Sequence, residues 1–482
     1  MTWPRGPRGW FLLALAVRLL AVLAGRNLGI GLDDMFQYDM LARSLAAGHG
    51  YRWYAQADVA LLQRYLDFDP TTHPAYDPRG LPTSFRAPLY PAFLALFYRL
   101  AGLEHRWLAA RLAQAVVTAL VAPLTWALAR TLAPTAPRVA RWAALSVTFY
   151  PMLVLLPLAL ATENLFLPLS LAFLLRLAQG PRGNPRAWAA STAMLLGLAM
   201  LTRSVAAVFV PLLLARAWLL PRAHRRARWP AVGLSLAVLT LLVTPWLVRN
   251  ARLHGRWVWL ETSGGYNLYI GAHPDGDGTF YPPAAQALLP IVDDAERDAI
   301  ARAQAWAFIR QAGPGEFLRR VLRRLAAFYG LETRVFMYLY SNGVLGAWPR
   351  PVLYLVLAVW VLPFPALALS AARTIAHPHG EPAWTWAAAF LAAYTLPHAL
   401  ILADPRMHLA VVPLLAVAAA WTWAQRAQWR AREQDPAHRW RAWVGRGVQG
   451  LLLLGWGWAL WNRRARWRVL LGPRGHEAHF DY

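Results

Sequence analysis

The stretch ATENLFLPLSLAFLLRLA, residues 161–178, decides the fold. An apolar run of this kind, about 20 residues long, is what an α-helix needs to cross the hydrocarbon core of a bilayer. Its one acid, Glu163, stands at the head of the run in Thr162-Glu163-Asn164, and it is the only Asp or Glu between Glu104 and Glu261. A carboxylate beside hydrocarbon costs roughly 2.5 kcal/mol or more at mid-depth and less near the surface. One reason for it is structural, because an acid in the first turn favours the positive end of a helix. The other is chemical and needs a partner elsewhere in the chain.

Working outward, similar segments recur at about 87–103, 106–131, 138–158, 187–204, 205–220 and 231–249, and again at about 351–372, 383–402 and 407–424. Residues 10–25 form a first one, read as an uncleaved anchor because so many follow it. The segment 447–461 is short and flanked by arginines, so it either crosses or lies flat. The count is about 11–13 transmembrane helices in an all-α polytopic membrane protein. Arg130, Arg138 and Arg141 mark one inner loop, Arg176, Arg182 and Arg186 a second, and Arg222, Arg225, Arg226 and Arg228 a third. The excess of arginine in cytoplasmic loops then places Glu163 and Arg203 outside. One inconsistency arises: an odd number of crossings must separate residue 85 from residue 135, yet two apolar segments lie between them. Long polar loops at about 26–85 and 250–350 also fall outside. The first contains a short amphipathic helix over 34–47, with Met35, Tyr38, Leu41, Ala42 and Leu45 on one face, a pattern expected to lie along the membrane surface. Residues 284–328 read as further amphipathic helices. The chain divides into a membrane module over 1–430 and a basic C-terminal region over 431–482 with one short apolar segment.

Composition agrees. The 482 residues are 58% hydrophobic and 15% charged, too apolar for a soluble chain of this size. The 26 tryptophans suit membrane–water boundaries. Cysteine is absent, which excludes disulfides and thiolate metal sites. The formal charge of +25 is carried by arginine alone, with no lysine. Because those arginines punctuate apolar segments, no nucleic acid is expected. Membrane lipids, or a phosphate-bearing lipid substrate, are the expected partners.

The chemistry-bearing residues are few. Asp33 and Asp34 sit just past the first apolar segment, ahead of Tyr38 and the turn Gly48-His49-Gly50-Tyr51. Either aspartate could simply cap a helix. Arg86, in Phe85-Arg86-Ala87-Pro88-Leu89-Tyr90-Pro91, opens the next segment from outside, as an interfacial anchor or a phosphate contact. Arg203 lies between two spans on the outer face, where arginine is less expected, and a guanidinium suits bidentate phosphate binding. Asp404-Pro405-Arg406-Met407-His408 forms another polar cluster at an outer span end. Zinc His-Glu-x-x-His, P-loop and Gly-x-Ser-x-Gly motifs are absent from the sequence.

In order along the chain stand Asp34-x-x-x-Tyr38-x-x-x-Ala42, Gly48-x-Gly50-Tyr51, Arg86-x-Pro88-Leu89-Tyr90-Pro91, Thr162-Glu163, Leu201-Thr202-Arg203, the run Gly265-Tyr266-Asn267-Leu268 to Gly271, and Arg406 before an apolar span with Pro413. This series resembles the GT-C class of polyprenyl-phosphate-sugar-dependent glycosyltransferases, in the branch of glycosyltransferase family 39, which includes the protein O-mannosyltransferases and aminoarabinose transferases. The resemblance implies a GT-C-like bundle. It also implies sugar transfer on the extracytoplasmic face of the cell membrane from a polyprenyl-phosphate-linked donor, generally with inversion, to a glycan, lipid or protein acceptor. It implies Asp34 as the general base, with Asp33 as the neighbouring candidate, and Glu163 as a second acid. Arg86, Tyr38, Arg203, Tyr266, Asn267 and Arg406 become substrate-binding candidates. Some relatives place a divalent metal ion between two outer acids, here Asp34 and Glu163. The alternative from another class is a multi-span transporter or lipid flippase of envelope glycans, because intramembrane charges also mark transport paths.

Overall fold

A computed structural model describes residues 4, 6–31, 34–63, 68–344, 346–375, 382–427 and 439–479. Asp33 lies outside the described residues, as does the start of the C-terminal region. The architecture is all-helical, as expected. Among the described residues the only sheet is a two-residue ribbon in the first polar loop, with Arg52 opposite Pro82 and Trp53 opposite Leu81. A backbone in hydrocarbon has no water to bond to, so it must close its hydrogen bonds within each segment, which helices do.

Four helices are long and apolar enough to cross a membrane by length and composition: Pro7–Ala24, Arg106–Leu132, Arg222–His254 and Arg350–Thr374. A fifth crossing is available if Pro137–Phe149 and Pro151–Leu158, bent by 56°, form one span. Pro151 explains that bend, since its ring cannot continue the preceding helix. The remaining expected spans map to shorter or less apolar helices: Glu163–Gln179, Pro185–Thr202, Val210–Trp218, Pro382–Leu400 and Val412–Ala424.

The crossing inconsistency disappears in the folded chain. Leu89–Ala101 has 13 residues and is about 20 Å long at 1.5 Å per residue, short of the roughly 30 Å hydrocarbon core. It packs against Asp34–Ala46, whereas Arg106–Leu132 runs 27 residues nearly unbroken. Of the two helices, only Arg106–Leu132 is long and apolar enough to cross, which agrees with the odd number of crossings the loops require. The C-terminal segment 447–461 lies within Arg439–Asn462, which runs antiparallel to Pro363–Ile375. Gln449 donates to the Leu369 carbonyl at 2.8 Å, and Trp456 reaches the Tyr329 carbonyl at 2.7 Å.

The loop helix Asp34–Ala46 departs from the expected one-faced pattern. Phe36, Met40 and Leu41 pack into an aromatic cluster with Tyr51, Trp53, Tyr54 and Phe85. Tyr38 and Ala42 pack the other way, against Tyr90, Leu94 and Tyr98. The helix is thus held between two apolar layers, and Met35 and Leu45 are only partly buried. It is buried on both faces because the first loop folds over it, a long-range event that periodicity does not encode.

The helix ends sort by charge. At one end the Trp384 indole donates to the Leu132 carbonyl at 2.9 Å, Gln179 to Thr131 at 3.3 Å, and Arg216 to the Leu177 carbonyl at 3.1 Å. The expected inner loops with Arg130, Arg138, Arg176, Arg182 and Arg186 belong to this end. At the opposite end the scarce acids meet.

Candidate active site

Asp34 opens the helix Asp34–Ala46, where an acid is favourable to the helix dipole. Helix capping therefore explains part of its presence. Its contacts go further. One carboxylate oxygen accepts from the Arg86 guanidinium and the other from Arg406 at 2.8 Å. Gln37, one helical turn on, accepts from Arg86 Nε at 3.0 Å and from its terminal nitrogen at 2.7 Å, which aims the guanidinium. The Arg86 guanidinium carbon lies 5.3 Å from the centroid of the Tyr38 ring and 5.0 Å from that of the Phe85 ring. Burial alone would raise the Asp34 carboxyl, but the charges of Arg86 and Arg406 prevail and hold it well below the usual carboxylate range.

Glu163 opens the helix Glu163–Gln179 and is 7% exposed. It accepts from Arg203 at 2.6 Å, and Thr162 donates to its other oxygen at 3.3 Å. Arg203 ends the helix Pro185–Thr202 in extended conformation and lies 5.6 Å from the centre of the Phe166 ring. Tyr38 is within electrostatic reach of both Asp34 and Glu163. Arg406, bonded to Asp34, is within electrostatic reach of Glu163 as well. The two carboxylates therefore belong to one cluster. The bonded groups are three guanidiniums against two carboxylates, with a third carboxylate, Glu261, within reach of Arg86 and bonded to Ser204. Asp404 also stands within electrostatic reach of Arg406, and every oxygen of Asp34 already meets a guanidinium. A divalent cation would first have to displace arginines.

Arg406 sits in a short turn, Pro405–Ala410, that is pinned at both ends to one segment. Arg334 donates to Asp404 at 2.5 Å, and Asp404 caps the Arg406 N–H at 3.0 Å. Two residues past Arg406, the fully buried His408 bonds the Glu332 carboxylate at 2.8 Å and the Phe328 carbonyl at 2.6 Å. The Phe364 ring stacks on the imidazole at 3.8 Å. Since an N–H must face the Phe328 carbonyl, the second imidazole nitrogen faces Glu332. Residues 332 and 334 thereby grip the turn on either side of Arg406.

The Gly265 to Gly271 run forms the helix Gly264–Ala272, packed on Asp294–Phe328. A Cβ on Gly265 would meet the Asp298 carbonyl at 2.2 Å, and one on Gly271 the Ile401 carbonyl at 2.0 Å, so both glycines allow close approach. The Tyr266 hydroxyl donates to the Ala285 carbonyl at 3.1 Å while its ring meets Phe85 edge-on, and burial pushes its hydroxyl up to about 12. Asn267, half-buried on the same helix, bonds through its backbone to the Ser263 carbonyl at 2.9 Å. Tyr266 lies within electrostatic reach of Asp34 and Arg86, no described contact ties Asn267 to the acids, and Asp34, Tyr38, Arg86, Glu163, Arg203 and Arg406 form the cluster.

Sequence reasoning missed several members. Asp39, fully buried, accepts from Arg43 at 2.7 Å and from Tyr98, Arg106 and Trp107, each at 2.9 Å. It anchors the loop helix to Leu89–Ala101 and Arg106–Ala119, and the i,i+4 spacing to Arg43 was its only signal. Asp294 is a second hub, accepting from Thr83 and the Ser84 N–H at 2.7 Å and from Thr262 at 2.9 Å. With His254 and Asp293 it forms a group whose ligand-type atoms lie within 4.8 Å of one another. Asp294 already ties residues 83–84 to 262, so the hub fixes the strand of chain leading into Arg86.

Residues 85–248, about a third of the chain, match the family model described as dolichyl-phosphate-mannose-protein mannosyltransferase. That stretch contains Arg86, Glu163 and Arg203, and over it the match bears out the resemblance read from the motifs. No curated protein matches. Among solved structures, that of ArnT from Cupriavidus metallidurans bound to undecaprenyl phosphate is similar at 16% identity, covering 98% of this chain and 74% of that one, with a TM-score of 0.43.

Proposed function

We propose that this chain is an integral-membrane glycosyltransferase that moves a sugar from a polyprenyl-phosphate donor to a nucleophilic acceptor on the extracytoplasmic face. The observation that carries this reading is the joining of Asp34 and Glu163, from separate parts of the chain, by the shared neighbours Arg406 and Tyr38. The family match over residues 85–248 supports the reaction class. The gathering of arginine-rich loops at the other end supports the sidedness.

The acceptor hydroxyl or amine attacks the anomeric carbon. The bond from that carbon to the phosphate oxygen breaks with its electron pair leaving on the phosphate, and the acceptor proton passes to Asp34. Arg86, Arg203 and Arg406 oppose the negative charge that develops on the leaving phosphate. With both its oxygens bound by guanidiniums, Asp34 is a poor base before the donor arrives. A lipid phosphate that takes Arg86 and Arg406 for itself releases Asp34, so donor binding and base activation are one event. Glu163 holds Arg203 in place beside them. The transporter alternative is less well supported, because the family match is to a glycosyltransferase model and the described acids gather at one end of the helices.

The test is a donor screen with purified protein, following release of polyprenyl phosphate from a panel of polyprenyl-phosphate sugars. Release that depends on protein and acceptor is expected with one donor. A rate equal to the protein-free control for every donor would sink the proposal.

A further inference from the structure

The basic C-terminal region plays no part in the reaction described above, yet the fold carries it to the same end of the molecule. The helix Arg439–Asn462 runs from the far end to the level of Tyr329. Beyond it Arg463 comes within electrostatic reach of Asp404, Arg334 and Asp277. The chain then forms the short helix Arg464–Leu470 and folds onto Thr333–Ser341, where the His479 N–H bonds the Ser341 carbonyl at 3.0 Å. Arg463, Arg464, Arg466 and Arg468 are all exposed. Among the described residues none of the four has a carboxylate within 4.0 Å. Arg464 folds back over Trp461, 4.5 Å from its ring, and donates to its carbonyl at 3.0 Å.

This arrangement costs stability and runs against the expected sidedness. Like charges repel, and Arg464 and Arg468 stand four residues apart on one helix face, an unfavourable pair. An arginine-rich run is also expected at the opposite end of the helices, with the inner loops. Beside it stands an apolar and aromatic rim: Trp461 is 65% exposed, and Trp458, Leu460 and Val469 are also exposed. Exposed indoles beside guanidiniums that meet no carboxylate among the described residues are complementary to a layer of phosphates over acyl chains. We infer that Arg463–Arg468 is a docking surface for the phosphate headgroups of anionic phospholipids in the leaflet that faces the active site. The inference rests on the reading of the helices as membrane-spanning and not on the identity of the reaction.

The experiment uses the full-length protein in bilayers made of equal parts phosphatidylcholine and phosphatidylglycerol. Spin-labelled versions of each lipid report how strongly each is immobilised at the protein surface. The wild type is expected to hold phosphatidylglycerol in preference to phosphatidylcholine, and high salt is expected to reduce that preference. In R463Q/R464Q/R466Q/R468Q the preference is expected to fall at least about fivefold, the equivalent of one arginine–headgroup contact. The pair R182Q/R186Q, at the other end, is expected to keep most of the preference. An unchanged preference in the quadruple variant overturns the inference, as does a wild-type preference indifferent to salt. A raised KM for the sugar donor with phospholipid preference intact also overturns it, since the surface then serves the substrate phosphate. Should the quadruple variant not fold, R464Q/R468Q removes two exposed charges and is read the same way.

Discussion

Replacing Asp34 by Asn separates the proposed chemistry from the fold. The Asp34 side chain is 31% exposed, and its partners Arg86 and Arg406 are 18% and 45% exposed. Asn keeps one oxygen to accept from one guanidinium and turns an amide toward the other, so one of two links is lost. Partly exposed pairs of this kind are worth about 0.2–1 kcal/mol each, so folding should lose no more than about 1 kcal/mol. Loss of a general base removes about 10²–10⁴ in rate, which is about 3–5 kcal/mol of transition-state stabilisation. The two effects differ enough to be told apart. Because Arg86 and Arg406 are then free of a competing carboxylate, the donor KM should stay level or fall while kcat collapses. The assay is steady-state release of polyprenyl phosphate by wild-type and variant proteins in the same detergent, with thermal unfolding measured on the same samples. A kcat within tenfold of wild type in a folded variant would refute the role of Asp34. A raised donor KM with kcat preserved would instead make it a binding residue.

Arg203→Met leaves Glu163 buried without its cation and should cost about 3 kcal/mol of stability; Glu163→Gln, which can still accept the hydrogen bond, should cost less, and equal unfolding temperatures would contradict the pairing. His408→Phe removes the grip on the turn that carries Arg406 and leaves the Glu332 carboxylate unmatched, for about 1–3 kcal/mol. With His408→Gln, stability should recover in part and donor KM should return toward wild type, whereas an unchanged KM in both would mean that the turn holds its shape unaided. The Asp34 carboxyl is lowered in the folded state, so its stabilisation is fully present above the unfolded value of about 3.9 and is lost as pH falls through the folded value. The unfolding-temperature gap between wild type and Asp34→Asn should therefore be constant above about pH 5 and close as pH drops below about 4. A gap that widens under acid would reverse the assigned direction.

Much of this protein is legible in its sequence. The apolar runs demanded helices, because only helices close their own hydrogen bonds in hydrocarbon. The scarcity of acids singled out Glu163, and the motif order singled out Asp34, Arg86, Arg203 and Arg406. Whether 87–103 crosses is left open by the sequence, since apolarity does not reveal whether a helix is 13 residues long or 20. Tertiary structure alone decided which cation meets which acid. Arg406 reaches Asp34 across 372 residues of sequence, and Thr83 reaches Asp294 across 211. Local periodicity reports which face of a helix is apolar, but an ion pair depends on where two helix ends arrive after packing. The burial of Asp39 and the return of the C-terminal arginines to the site's end have the same origin, because both are set by long-range contacts that leave almost no trace in the residues beside them.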